Sequence, residues 1–222
     1  MMTNLFSIFD PSSSIGNNLN WLALYLIIVV SPLMKWVTPS RGMKGFQTLF
    51  KTLTLEVKPL LNLEARMMMG LFMSLFLLIL TMNSMGLISY IFTPSSHLTI
   101  TLGLALPMWL SYFSYGWVKK TKWMLAHLVP QSTPNVLMPF MVLIESISSL
   151  IRPLTLSVRL AANMIAGHLL LTLMSNTISI FKGTAGVSIV VMQIALVILE
   201  TAVAAIQAYV FMILSALYVS EI

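Results

Sequence analysis

The chain has 222 residues, of which 58% are hydrophobic and only 8% charged, and its mean hydropathy is +0.94. Soluble domains carry about 25% charged residues, so charge at a third of that level excludes a soluble globular enzyme, a disordered tail and a nucleic-acid-binding module. Several stretches reach the ~20 apolar residues that cross a bilayer, and the class that fits is an all-α, polytopic membrane protein.

The 12 Lys+Arg and 6 Asp+Glu leave a net charge of +6, and its distribution carries more information than its size. Lys35, Arg41, Lys44, Lys51, Lys58 and Arg66 fall in one interhelical segment, and Lys119, Lys120 and Lys122 in another. By the positive-inside rule both segments face the same inner compartment. Cysteine is absent, which removes disulfide and thiol chemistry. The opening MMTNLFSIFDPSSS has no positive charge, so it lacks both the basic region of a secretory signal and the Arg-rich pattern of an import presequence. With 18 Met, the composition suits a protein made inside an organelle.

Residues 1–18 are polar and read as an exposed terminus. A first span is expected over 19–36, anchored by Trp21 and Trp36 at the two interfaces. Over 43–58, Phe46, Leu49, Phe50, Leu53 and Val57 recur at spacings of 3 and 4 while Lys44, Gln47, Lys51 and Lys58 lie mostly off that stripe. This is the pattern of an amphipathic helix lying on the membrane surface or packed on a soluble partner, stopped by Pro59. Met67 to Phe92 is 26 residues without a charge and Leu98 to Val118 another 21; both read as spans, with an outer turn at Thr93-Pro94 between them. Residues 128–139 hold three prolines and read as a loop. The last third departs from this pattern. Two long apolar arms, 136–182 and 186–221, are separated only by Lys182-Gly183-Thr184-Ala185-Gly186. A helix of 46 residues would reach about 69 Å, more than twice the ~30 Å hydrocarbon core. A C-terminal hairpin of two long, tilted transmembrane helices is the expected arrangement, with Pro153 able to kink the first arm.

Ionisable groups are costly inside a membrane and mark ion pathways, proton relays or counter-ions. Glu145, Arg152, Arg159 and Glu200 lie within apolar segments, with His168 as a titratable neighbour. Glu145, Arg152 and Arg159 are spaced by seven and so share one helical stripe, which Asn163 continues, while His168 lies half a turn round. Gln193, Glu200 and Gln207 repeat the spacing on the second arm, giving two polar seams that can face each other or a partner. Each residue also has a plainer reading. Arg152 can pair with Glu145 two turns away, Arg159 or Glu200 can belong to a helix–helix ion pair, and His168, Gln193 and Gln207 can be interhelical hydrogen-bonding groups. Ala202, Ala204, Ala205 and Ala208 suit close helix packing. No metal-ligand spacing, Walker loop or GxSxG is present, and the lone aspartate, Asp10, leaves an intramembrane aspartyl protease without its pair.

The runs SLIRPLTLSVRLAANMIAGHLL (Ser149 to Leu170) and ILETAVAAIQAYVF (Ile198 to Phe211) resemble the mitochondrial ATP synthase a-subunit family, the static proton-channel subunits of the Fo sector. RLxANxxAGH, which sets an intramembrane Arg, Asn and His at fixed spacing, carries the resemblance. It implies a partner ring of c subunits, each with a mid-membrane carboxyl group, turning against this chain. Arg159 then matches the arginine that draws each carboxylate into releasing its proton and blocks a short circuit between two half-channels. Asn163 matches that arginine's polar neighbour and Gln207 the partner on the facing arm. His168 and Glu200 match the relay open to the intermembrane space, and Glu145 the acid of the matrix half-channel. Arg152 has no counterpart in the pattern. The resemblance further implies other Fo and peripheral-stalk subunits and membrane lipid as partners, no cofactor, metal or nucleic acid, no catalysis by the chain alone, and location in the mitochondrial inner membrane. A proton-coupled secondary transporter is the main rival, although the inverted repeats such folds show are not evident. A purely structural membrane subunit is the other, and it would not need Arg, Glu and His in facing arms.

Overall fold

A computed structural model describes residues 9–12, 19–25, 40–61, 65–88, 91–129, 134, 137–180 and 184–220. Apart from short 3-10 turns, the described regular structure is six α-helices: α1 Arg41–Val57, α2 Met69–Gly86, α3 Leu98–Lys119, α4 Thr121–His127, α5 Met138–Ile180 and α6 Thr184–Ser220. Among the described residues, three segments are long and apolar enough to cross a membrane, Arg66–Gly86, Met138–Ile178 and Gly186–Ser220. α3, at 22 residues, has the reach of about 33 Å but is diluted by Ser, Tyr and Trp. Most of the span expected over 19–36 lies outside the described residues, which show a 3-10 turn at Leu19–Tyr25.

α1 starts at Ser40, whose hydroxyl accepts the Met43 N–H at 3.4 Å, an N-cap that satisfies one of the free amides of the first turn. Pro59 tightens the chain into a 3-10 turn, Lys58–Leu60. The apolar stripe of α1 is used partly inside the chain. Val57 is fully buried in a core with Phe72, Met73, Tyr112, Met212 and Ala216, against which Phe50 and Leu53 also pack. Leu49 and Leu55 remain exposed. The Tyr209 hydroxyl donates to a Glu56 carboxylate oxygen at 3.0 Å, tying α1 to α6.

α2 ends at Gly86, six residues before the uncharged run does. A Cβ at this position would lie 2.5 Å from Thr93 Cγ2, so the absent side chain lets the Thr93–Ser96 turn fold back over the helix end. α4 is a helix within the basic segment that apolar periodicity does not reveal. Lys120, at φ −130° and ψ 45°, breaks the helix between α3 and α4.

α5 has 43 residues and α6 has 37, or about 64 and 56 Å of helix. Pro153 sits inside α5 without ending it. α6 packs on α2, and α5 on both α3 and α6. The shared core joins Ile79, Ala105, Leu156, Leu160, Ala208 and Phe211. Ala161, Ala204, Ala208 and Ala216 are all buried, and such small side chains let helices approach closely where no hydrophobic effect drives them together. The outer surfaces of the same helices expose Val158, Val191, Ile194, Ile198, Leu199 and Ile206, as expected of faces turned to lipid or to other apolar subunits.

Candidate functional site

The two polar seams meet. Asn163, one turn beyond Arg159 on α5, donates from Nδ2 to Gln207 Oε1 on α6 at 3.2 Å. Gln207 is buried among Ala204, Ala208 and Phe211, and its Nε2 is left without a partner. A carboxamide pair across a helix interface is a directional tie in an environment that offers few alternatives.

Arg159 takes no part in this tie. It is exposed on a stripe with Ile151, Thr155, Ala162 and Ala166, and among the described residues no carboxylate pairs with it. The helix–helix ion pair left open by the sequence is therefore not formed here. A guanidinium cannot shed its charge in a protein. This one stands on an apolar helix, flanked by alanines small enough for another helix to come close.

Glu200 is 7% exposed, and its carboxylate lies against the backbone of Gly167. A Cβ at 167 would overlap Glu200 Oε1 and come within 2.7 Å of Cδ. Oε1 has no hydrogen-bond partner. The glycine of the AGH run, next to His168 in the chain, therefore makes room for the acid of the facing arm. His168 is half-buried, with its Nε2 unpartnered and its ring edge-on to Phe9 at 6.3 Å. Of the described N-terminal residues, Phe9 and Pro11 are half-buried while Asp10 and Ser12 are exposed.

Two cavities complete the arrangement. One, of about 580 Å³, is lined by His168, Thr172, Ser175, Gln193, Asp10 and the Thr93 turn. Gln193 thus faces a cavity rather than serving only as interhelical glue. The other, of about 380 Å³, is lined by Glu145, Arg152, Tyr218 and aromatic residues of α3 and α4, and shares no lining residue with the first. It lies beside the end of α3 that carries Lys119 and Lys120. Arg159 lines neither cavity. Along α5, Glu145 is 14 residues before Arg159 and His168 nine after it, or about 21 and 13 Å of helix rise.

The structure adds Asn83, which the sequence reading passed over. It is 1% exposed on α2, and neither side-chain amide atom has a partner. Its signal was available as a lone carboxamide in a 26-residue uncharged run. Among the described residues no group of His, Cys, Asp and Glu could hold a metal.

Long apolar helices, a fixed cation on an uncovered face and two cavities that share no described lining residue, each reaching a titratable group, define an integral membrane protein with intramembrane groups of the kind that mark ion pathways. A family model described as ATP synthase A chain matches residues 18–220. ATP synthase subunit a of Drosophila melanogaster is 53% identical over 223 residues, and that of Anopheles gambiae 54% identical over 225, each covering 100% of both chains. The chain belongs to the ATP synthase A chain family, the proton-channel stator subunits of the Fo sector. This membership does not favour the secondary-transporter alternative.

Proposed function

We propose that this chain, in the mitochondrial inner membrane, carries protons through two offset half-channels to a rotating c-ring, with Arg159 as the charge that separates them. Protons enter through the cavity at His168, pass by Glu200 to a ring carboxylate, and leave past Glu145 to the matrix. Asn163 and Gln207 hold the two arms in register behind Arg159. The observation that carries this reading is the position of Arg159, unpaired, on an exposed helix face and lining neither cavity. An approaching carboxylate is stabilised in its charged form by this guanidinium and so gives up its proton. The chain contributes no chemistry alone, and it acts with the ring, the other Fo and peripheral-stalk subunits and lipid. The long arms lie tilted, since either one exceeds the bilayer core.

The exposed face is tested by cross-linking, for which a chain with no cysteine is a clean background. Ala162→Cys, on the Arg159 stripe, is expected to form a disulfide with a cysteine placed next to the ring carboxyl in the assembled complex. Ala161→Cys, 3% exposed, is expected not to. Equal cross-linking at both positions, or none at 162, contradicts the assignment.

A further inference from the structure

We infer that Arg152 is a positioning residue for Glu145, holding its carboxylate at the second cavity by bridging it to Tyr218 of the opposite arm. This rests on the proposed role of Glu145. Arg152 lies two helical turns after Glu145, and its long side chain reaches back to bring Nη2 within 3.7 Å of Oε1, both side chains being one-third exposed. The guanidinium carbon also stands 5.6 Å from the centre of the Tyr218 ring, inside the ~6 Å range of cation–π attraction. Tyr218 belongs to α6, so one cation ties an acid of α5 to a ring of α6, and all three line the same cavity.

The chemistry favours arginine for this task. A planar guanidinium can lie on a ring while an edge N–H points to a carboxylate, which a compact ammonium does less well. Pro153 follows directly and supplies no backbone N–H to the helix ladder. The other titratable groups on the cavity wall are Tyr112 and His127. An untethered glutamate has three rotatable bonds, whereas proton transfer to a cavity needs the acid at a fixed point, and a misplacement of about 1 Å costs as much as 10²-fold.

The test uses the whole ATP synthase reconstituted in liposomes, with passive proton conduction through Fo read after F1 is stripped off. Arg152→Gln is expected to assemble and to slow conduction about tenfold, and Arg152→Lys to recover part of that loss. Glu145→Gln is expected to be slow by itself, and adding Arg152→Gln to it is expected to change nothing further. Such non-additivity is the mark of a residue that acts through the other. If Arg152→Gln does not assemble, Tyr218→Leu makes the same comparison: slower conduction that Glu145→Gln does not compound supports the inference. Parental conduction in Arg152→Gln, losses that multiply in the double variant, or Arg152→Lys no better than Gln would overturn it. Parental conduction in Glu145→Gln would overturn the proposed role of Glu145 as well, and so separates the two failures.

Discussion

Arg159→Gln is expected to abolish proton-driven ATP synthesis while leaving the complex assembled. The side chain is exposed and, among the described residues, makes no ion pair, so its loss leaves no described acid unpartnered. The Asn163–Gln207 tie lies behind it and survives. On the proposed mechanism, what is lost is a fixed charge at the place where a ring carboxylate must ionise. Removing one preorganised charge or donor from a water-poor site costs about 10²–10³-fold in rate, and coupled synthesis should fall by at least that much. Arg159→Lys should restore little, because an ammonium in a low-dielectric contact can discharge. Quantifying assembled complex alongside synthesis checks the expectation. Coupled synthesis near the parental rate in Arg159→Gln would refute it.

The second large effect concerns space rather than charge. A Cβ added at Gly167 would run into the Glu200 carboxylate. Gly167→Ala should push Glu200 off its site and cut proton conduction about tenfold, as displaced reacting groups do, although no charge changes. Glu200→Gln keeps the shape and removes the exchangeable proton, and should be at least as severe. The decisive variant is the pair Gly167→Ala with Glu200→Asp. The shorter acid vacates the volume the new methyl needs, so conduction should recover above that of Gly167→Ala alone. Parental conduction in Gly167→Ala, or a double variant worse than either single one, would contradict the contact between the arms.

The parts legible in the sequence were those set by short-range rules. Charge scarcity and helical periodicity gave α2, α3, α5 and α6, and the seven-residue spacing of Glu145, Arg152 and Arg159 gave a stripe. The spacing also allowed the arms to meet at Asn163 and Gln207, which they do. Other features depend on what lies opposite. Gly86 ends α2 because Thr93 folds back over it, a contact between residues whose approach no periodicity encodes. Gly167 looks like a weak point of a helix until Glu200 is seen against it. Asn83 is silent in a hydropathy profile, because one carboxamide barely changes an apolar average. Pro153 reads as a place where the first arm can kink, and α5 runs on through it. The exposure of Arg159 could not be read at all, since neither spacing nor composition says which face of a long apolar helix its neighbours cover.

The central claim is that a single positive charge keeps two proton-accessible cavities from short-circuiting. It is tested most directly by proton flux through Fo whose ring is locked to the stator by a disulfide, so that rotation carries nothing. With Arg159 in place the locked complex should be proton-tight, and with Arg159→Ala it should leak down an imposed gradient. Equal tightness of the two locked complexes, or an equal leak through both, would contradict the account.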